Sequence, residues 1–265
     1  AEMNVIGDGP YYLMACKPAV HYTMGGLHIT PEAEVLTVEG TPIAGLYAAG
    51  EAASGVFGAN RVADAVTEML VQGYKAGEVA AARASEQTRV ASDDAAIERA
   101  VGVLEKLLSN QGGIAVSEAI DRLGEISDNA LGMVRNETTL RAGVEAFETL
   151  GAEMDGISLR GKSLRYNREL MQALAARNLL ACSRVAAKMA LERRESRGLH
   201  LRDDYSYIDN ENWQVRQLAE LVNGEDKLSK KVPVVTRIPL RKAEKIDYES
   251  FILEEDLGMK NMEES

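Results

Sequence analysis

A histidine and an arginine accompany two glycine-rich stretches near the start of the sequence. His21 opens the run HYTMGG, and Arg61 closes the run GLYAAGEAASGVFGANR. Glycine allows positive φ angles and a close approach of the main chain to a flat or bulky ligand. An arginine matches a carboxylate with two parallel hydrogen bonds, and an imidazole adds a further donor. The pair therefore predicts a site that holds a dicarboxylate.

A carboxylate and a long helix follow in the same region. Glu51 comes directly after the apolar strand GLYAAG, where an acid can accept hydrogen bonds from ligand hydroxyl groups. Apolar residues recur at helical spacing from Val62 to about Ser85, which predicts a helix. A strand, a glycine-rich turn and a helix in succession direct backbone N–H groups and the positive end of the helix dipole toward a ligand. We expect a redox-active ring beside the dicarboxylate.

The composition of the chain excludes several classes of function. The formal net charge of −11 argues against nucleic acid or an anionic membrane surface as the main partner. The sequence contains no apolar run of membrane-spanning length. Cys16 and Cys182 are far apart, so neither a metal site nor a disulfide framework is indicated, and we expect both to be buried small apolar residues.

Three regions differ in their sequence patterns. Residues 1–90 combine strand and turn signals with the long helix, which predicts an α/β segment. Residues 91–198 carry apolar positions spaced by three and four, typical of an antiparallel helical bundle. Residues 199–265 are polar, turn-rich and interrupted by prolines, which predicts edge strands or an extended tail packed on the bundle.

Capping signals divide the second region into helices. Acidic residues begin the first helix, Lys106 lies near its end, and the run NQGG stops it. Ser117 and Asn136 are expected to cap the next two helices. The last helix is expected to run from Asn167 to a stop at Gly198.

Two separate parts of the sequence resemble one known family. HYTMGG followed by GLYAAGEAASGVFGANR resembles the fumarate reductase and succinate dehydrogenase flavoprotein subunits, whose architecture L-aspartate oxidase and adenylylsulfate reductase share. Residues 173–213 are similar to the C-terminal helical domain of that family, which contains an E-S-R-G-x-H-x-R-x-D-Y run and a D-x-E-N-W motif. The resemblance covers most of the chain, from about Pro18 to Trp213.

The resemblance implies FAD as the cofactor and assigns residues to two kinds of contact. His21 and Arg61 match the family residues that bind the substrate carboxylates. Glu51 matches the acid that holds the ribityl or ribose hydroxyls of FAD. The implied cofactor-binding residues are Tyr22, Gly50, Glu51, Ala65 and Val66. The family's proton-delivering arginine belongs to a capping domain that this sequence does not contain, so no catalytic residue is expected in this chain.

The loop after Arg61 departs from the family pattern. The family usually has L-G-G-N-S/A-L, whereas this chain has RVADAVTEML, which is one residue shorter. This alignment places Asp64 near the missing glycine or asparagine. A carboxylate close to a reduced, anionic flavin is unfavourable unless it is turned away or protonated. The departure therefore bears on the flavin potential and on the choice of substrate.

The resemblance also implies partners, because the sequence has no G-x-G-x-x-G after an N-terminal strand. We expect a C-terminal piece of a flavoprotein, or one subunit of a split enzyme whose partner supplies the dinucleotide-binding and capping segments. An iron–sulfur or other electron-transfer subunit is a further implied partner, with a cytoplasmic location at the inner face of the membrane.

Other interpretations of the chain stay open. One is a flavoprotein of the L-aspartate oxidase or adenylylsulfate reductase type. Another is a non-catalytic helical scaffold that docks an electron-transfer partner. Outside the predicted site, His28 is expected at the surface, and Trp213 is expected to anchor the tail. Structural roles are also expected for three basic residues of the last helix and tail, Arg197, His200 and Arg202.

Overall fold

The computed structural model describes residues 9–16, 23, 25–54, 65–87, 92–222 and 225–233 of the 265-residue chain. Short strands and one long helix come first. The strands are β1 (Leu27–His28), β2 (Glu34–Leu36), β3 (Pro42–Tyr47) and β4 (Ala53–Ser54), with a 3-10 helix at Gly50–Ala52. Helix α1 (Ala65–Glu86) follows, close to the predicted bounds.

The strands form two separate pairs. β1 lies parallel to β4, with Leu27 opposite Ala53, and β2 lies antiparallel to β3. Parallel neighbours need a crossover between them, and here the β2–β3 hairpin provides it. A small core of Val35, Ala48 and Ala53, with Ile29 packed against it, stabilises this part.

Four helices make up the middle of the chain: α2 (Asp94–Ser109), α3 (Val116–Ala130), α4 (Glu137–Met154) and α5 (Arg168–Glu192). α3, α4 and α5 pack against one another. Their shared core includes Leu123, Phe147, Leu150 and Ala173, each with no measurable exposure. The structure therefore has a helical part with a shared apolar core, and the antiparallel direction of its helices stays a prediction.

Local capping explains three of the helix starts. Asp93 accepts a hydrogen bond from the backbone N–H of Ala96, and Asn167 accepts one from that of Leu170. Asn136 caps α4 as predicted, and the Thr139 side chain completes a reciprocal capping box. The prediction for Ser117 was wrong. α3 begins at Val116, its cap position is Ala115, and no side chain accepts a hydrogen bond there.

The predicted end of the last helix was also wrong, because α5 stops at Glu192 rather than at Gly198. The guanidinium of Arg202 explains the early stop. Its Nη1 lies 2.9 Å from the carbonyl oxygen of Ala190 and 3.3 Å from that of Leu191, so it satisfies carbonyls that end a helix without partners. Gly198, with φ +56°, instead lies in the tight turn between Arg197 and His200.

The described part of the tail contains paired strands. β6 (Leu201–Arg202) lies parallel to β5 (Val134–Arg135), and a short helix, α6 (Asn210–Trp213), follows. β7 (Val215–Val222) and β8 (Glu225–Pro233) form an antiparallel hairpin. This part of the tail therefore doubles back as a two-stranded hairpin. The expectation of an extended tail that packs on the bundle stays a prediction. The boundaries proposed at residues 90 and 198 stay predictions.

Trp213 attaches the tail to the end of α5. Its side chain is buried, and the guanidinium carbon of Arg193 lies 5.2 Å from the centre of its ring. Arg193 also donates a 2.7 Å hydrogen bond to the carbonyl oxygen of Val215. Among the described helices, none is long and apolar enough to cross a lipid bilayer.

Candidate functional site

The two glycine-rich segments of the sequence lie side by side in the structure. Parallel pairing sets Leu27 opposite Ala53 and His28 opposite Ser54. Gly26 comes so close to the second segment that an added Cβ atom would lie 2.6 Å from the carbonyl oxygen of Ala52. A Cβ atom does not fit at that distance from main-chain atoms, so only glycine allows this approach. Thr23, residues 25–28 and residues 51–54 therefore form one surface.

Glu51 joins the two segments directly. Its Oε1 atom accepts a 3.2 Å hydrogen bond from the backbone N–H of Thr23, and the side chain is exposed. Among the described residues, no hydrogen-bond donor is recorded for its second oxygen, Oε2. An ionised carboxylate accepts hydrogen bonds at both oxygens. Glu51 can therefore accept a hydrogen bond from a ligand hydroxyl group while it also accepts one from the Thr23 N–H.

Gly50 positions Glu51 against helix α1. Its φ angle is +67°, its residue surface is buried, and an added Cβ atom would lie 3.0 Å from the Cβ atom of Met69. The backbone N–H of Gly50 donates a 3.0 Å hydrogen bond to Oε1 of Gln72. Positive φ and close packing both require glycine at this position.

The start of α1 carries a buried acid that the sequence analysis did not single out. Glu68, in the first turn, is 5% exposed, and its Oε1 accepts a 3.2 Å hydrogen bond from Nε2 of Gln72. A negative charge in the first turn interacts favourably with the helix dipole. The spacing of these two polar residues by four within an apolar helix was the available signal. Ala65 is half-buried, and Val66 is exposed.

Four of the seven predicted site residues lie in the described part of the chain, on two elements that contact each other. Gly50 and Glu51 lie on the 3-10 helix, and Ala65 and Val66 begin the helix that holds it through Gln72. The other three predicted residues, His21, Tyr22 and Arg61, lie outside the described residues, as does Asp64. Thr23 follows Tyr22 directly, so the described contact lies next to the predicted histidine segment.

His28 was expected at the surface, and the structure corrects that expectation. It lies in β1, its side chain is half-buried, and its Nδ1 atom is buried without a hydrogen-bond partner among the described residues. Burial lowers the pKa of His28, and the positive charge of Arg216 lowers it further. His28 is therefore favoured in its neutral form beside the tail.

A second polar cluster lies where α5 meets the tail. Glu195 is fully buried and accepts hydrogen bonds from Arg193 and Arg197 and from the backbone N–H of Asp209. Burial raises the pKa of Glu195, but the hydrogen bonds from Arg197 and Asp209 outweigh it and bring the pKa below its usual value. These contacts join one segment of the chain to another, as expected for the structural role of Arg197.

His200 belongs to the same cluster. Its Nδ1 lies 3.2 Å from Nη1 of Arg135, and its Nε2 lies 3.2 Å from the carbonyl oxygen of Arg193. Arginine only donates, so the neutral ring must accept at Nδ1 and donate from Nε2. Burial lowers the pKa of His200 to about 4, aided by the nearby arginines. Both ring nitrogens of His200 are therefore hydrogen-bonded within the protein.

The two cysteines are exposed, which corrects the expectation that they are buried. Cys182 is exposed because it is not on the face of α5 that packs inward. The described residues contain no group of three histidine, cysteine or acidic side chains that could hold a metal ion.

Two protein-family models match this chain, one in its N-terminal part and one in its C-terminal part. A family model described as "FAD binding domain" matches residues 1–64, and one described as "Fumarate reductase flavoprotein C-term" matches residues 120–248. The fumarate reductase flavoprotein subunit of Haemophilus influenzae is 34% identical over 207 residues, which cover 77% of this chain and 34% of that protein.

The chain belongs to the fumarate reductase and succinate dehydrogenase flavoprotein family.

Two further comparisons match a larger and a smaller part of the chain. A solved structure of E. coli quinol fumarate reductase FrdA superposes with a TM-score of 0.73 at 27% identity, covering 83% of this chain and 38% of that one. The urocanate reductase of Eggerthella lenta is 52% identical over 85 residues, which cover 32% of this chain and 14% of that protein. The chain thus spans about a third of the length of the fumarate reductase subunits it matches.

FAD is the cofactor of this flavoprotein family, and the match to the FAD-binding model covers the segment that contains Glu51. The chemistry of the described residues fits such a cofactor. Glu51 offers a carboxylate oxygen for sugar or ribityl hydroxyl groups, and the start of α1 offers backbone N–H groups.

Proposed function

We propose that this chain supplies part of the FAD pocket and the carboxylate-binding pair of an FAD-dependent oxidoreductase of the fumarate reductase and succinate dehydrogenase type. The observation that supports it most is the hydrogen bond between Thr23 and Glu51. That contact joins Thr23, two residues after His21 in the sequence, to Glu51, ten residues before Arg61.

Each residue has a definite task in this proposal. Arg61 and His21 bind the carboxylates of the substrate, where charge-assisted hydrogen bonds fix its orientation. Tyr22 lies beside the flavin, Glu51 accepts cofactor hydroxyls, and backbone N–H groups of Ala65 and Val66 face the ring. Gly50 allows the 3-10 helix that carries Glu51 to lie close to Met69 of α1.

FAD, when bound, supplies the hydride-transfer chemistry. The residues of this chain bind and orient the substrate, and they place positive charge where negative charge develops on the carboxylate. The same groups serve oxidation and reduction. Proton delivery is assigned to the capping segment, because the family's arginine for that step belongs to it.

The exposed apolar surface of the first region supports a partner that completes the flavoprotein. Met69, Leu70 and Tyr74 of α1 and Ile43 and Leu46 of β3 are all exposed. Apolar surface of this extent is normally covered by another part of a protein. We assign it to the N-terminal FAD-binding and capping segments of the same flavoprotein.

Electron-transfer partners are a second part of the proposal. The similar proteins are named as flavoprotein subunits, so partner subunits are expected in general. An iron–sulfur subunit is the proposed one, which would place the assembly at the inner, cytoplasmic face of a membrane.

A second candidate substrate comes from the urocanate reductase similarity over 85 residues. Urocanate carries one carboxylate conjugated to a double bond, so Arg61 could bind it as it binds one end of a dicarboxylate. The shortened loop with Asp64 makes the identity of the acid a matter for experiment.

The test uses the complete flavoprotein, with its N-terminal and capping segments, reduced and then mixed with fumarate or urocanate. We expect bound FAD, followed by substrate-dependent reoxidation of the flavin. Arg61→Ala should retain FAD and lose about 100-fold in kcat/KM, whereas Arg99→Ala, on the exposed face of α2, should change neither property.

Three outcomes would separate the alternatives. An unchanged rate for Arg61→Ala would refute the substrate assignment. A protein that holds no flavin would favour the helical scaffold. If neither acid reoxidises the flavin and the protein instead oxidises L-aspartate or reduces adenylylsulfate, the corresponding relative is favoured.

A further inference from the structure

Gln72 links helix α1 to the turn that carries Glu51. Its Oε1 accepts the Gly50 N–H at 3.0 Å, and its Nε2 donates to Oε1 of Glu68 at 3.2 Å. A backbone N–H only donates and a carboxylate only accepts, so the amide of Gln72 fits this place in one orientation. Both ends of the side chain are therefore used.

The hydrogen bond to Gly50 fixes the start of the 3-10 helix. Gly50 is buried, with φ +67°, and a second hydrogen bond, from the Ala53 N–H to the Gly50 carbonyl, closes the turn. Glu51 lies between these two anchor points. Its backbone position therefore depends on the acceptor that α1 provides.

The side chain of Glu51 has a long reach and an exposed end. Its freedom is limited on one side by the hydrogen bond from the Thr23 N–H at 3.2 Å. An exposed glutamate loses side-chain entropy when it is held in one rotamer. A fixed backbone reduces that loss, since the carboxylate is then already directed at the shared surface of the two segments.

We propose that Gln72 is a positioning residue for cofactor binding, which acts through Gly50 to hold the Glu51 carboxylate against the hydroxyl groups of FAD. The inference rests on the proposed function, because it takes Glu51 as a cofactor ligand. It adds a residue that touches neither cofactor nor substrate.

A purely structural role for Gln72 makes a different prediction. If it only packs α1 against the strands, its loss weakens FAD binding independently of Glu51, and the two effects add. If it acts through Glu51, its loss has no further effect once the carboxylate is gone. Double-mutant cycles distinguish the two cases.

The experiment measures the dissociation constant of FAD for the complete flavoprotein by quenching of flavin fluorescence. The variants are Gln72→Met, Glu51→Gln and both together. Methionine has a similar volume and cannot accept from Gly50. Glu78→Gln serves as the control, because Glu78 pairs with Lys75 on the exposed face of the same helix.

We expect Glu51→Gln to raise the dissociation constant about 10-fold and Gln72→Met to raise it about 3- to 10-fold. The double variant should match Glu51→Gln alone, and Glu78→Gln should match the wild type. Thermal unfolding of each apoprotein identifies a temperature at which all are folded, so that a loss of folding is not read as a loss of binding.

Each contrary outcome has a separate meaning. An unchanged constant for Gln72→Met, with Glu51→Gln weakened, overturns the positioning role and leaves the proposed function intact. Additive effects in the double variant also overturn it. If Glu51→Gln binds FAD as the wild type does, the cofactor role of Glu51 fails and the inference fails with it.

Discussion

Arg202 and Asp204 form a bidentate ion pair, in which Nε of Arg202 lies 2.6 Å from Oδ1 of Asp204 and Nη2 of Arg202 lies 2.6 Å from Oδ2. Arg202 is fully buried, and Asp204 also accepts a 2.8 Å hydrogen bond from the first backbone N–H of α4, that of Glu137. Asp204 thus connects the tail to the start of α4, and Arg202 extends the connection to the end of α5.

Replacement of Asp204 should destabilise the protein strongly. Asp204→Ala leaves the buried guanidinium of Arg202 without its counter-charge, and removal of one partner of such a pair costs about 3–5 kcal/mol. Urea unfolding followed by circular dichroism measures the change. The exposed pair of Arg141 and Glu137 is the comparison, and Arg141→Ala should cost less than about 1 kcal/mol. Equal losses from both variants would contradict the burial argument.

Asn136→Ala should weaken the start of α4. The Asn136 side chain accepts from the Thr139 N–H at 2.9 Å, and loss of such a cap costs about 1 kcal/mol. Ser117→Ala is the control, because no side chain caps α3. Thermal or urea unfolding of both variants checks the prediction, which fails if Ser117→Ala is the more destabilised of the two.

The stability of the protein should fall between pH 6.5 and pH 4 partly through His200. Burial lowers its pKa in the folded state from the ordinary 6.5 to about 4. In that interval the unfolded chain binds a proton that the folded chain does not, so unfolding becomes easier as the pH falls. His200→Gln keeps an acceptor for Arg135 and a donor for Arg193 and does not titrate. Its urea midpoint should depend less on pH.

The difference between the wild type and His200→Gln isolates this residue, because carboxylates such as Glu195 are present in both proteins. NMR titration of the His200 ring provides a direct check. A His200 pKa at or above 6.5, or parallel pH profiles for the two proteins, would refute the assignment.

Gly26→Ala should disrupt the contact between the two glycine-rich segments. The added Cβ atom would meet the carbonyl oxygens of Ala52 and Ala53 at 2.6 and 2.7 Å, so the strands must separate. Overpacking of this kind costs about 1–3 kcal/mol, and FAD binding should weaken. Gly25→Ala is the matched control, because an added Cβ atom there meets no described atom within 4 Å. Flavin titration and unfolding of both variants test the contrast.

The sequence predicted those features that depend on neighbouring residues. The periodicity of residues 62–85 located α1, and the Asn136 side chain identified the cap of α4, because both signals lie within a few positions of the structure they specify. The nearness of the two glycine-rich segments came from family resemblance. Composition carried no information about it.

Features that depend on distant parts of the chain were missed. α5 ends early because Arg202 returns to its carbonyls, and His28 is half-buried beside the tail. The exposed position of Cys182 follows from which face of α5 packs inward. The sequence did not indicate a role for Gln72, because its hydrogen bond to Gly50 joins residues that are far apart in the chain.

Because β1 pairs directly with β4, the position of these two strands does not depend on the length of the chain between them. The β2–β3 hairpin leaves this edge and returns to it, and its outer turn closes through the hydrogen bond from the Gly40 N–H to the carbonyl oxygen of Thr37. Glu39 and Gly40 are exposed there. A peptide tag or a fluorescent label inserted between them would lengthen the excursion and leave both anchored ends in register, which makes this turn a suitable attachment point for a reporter.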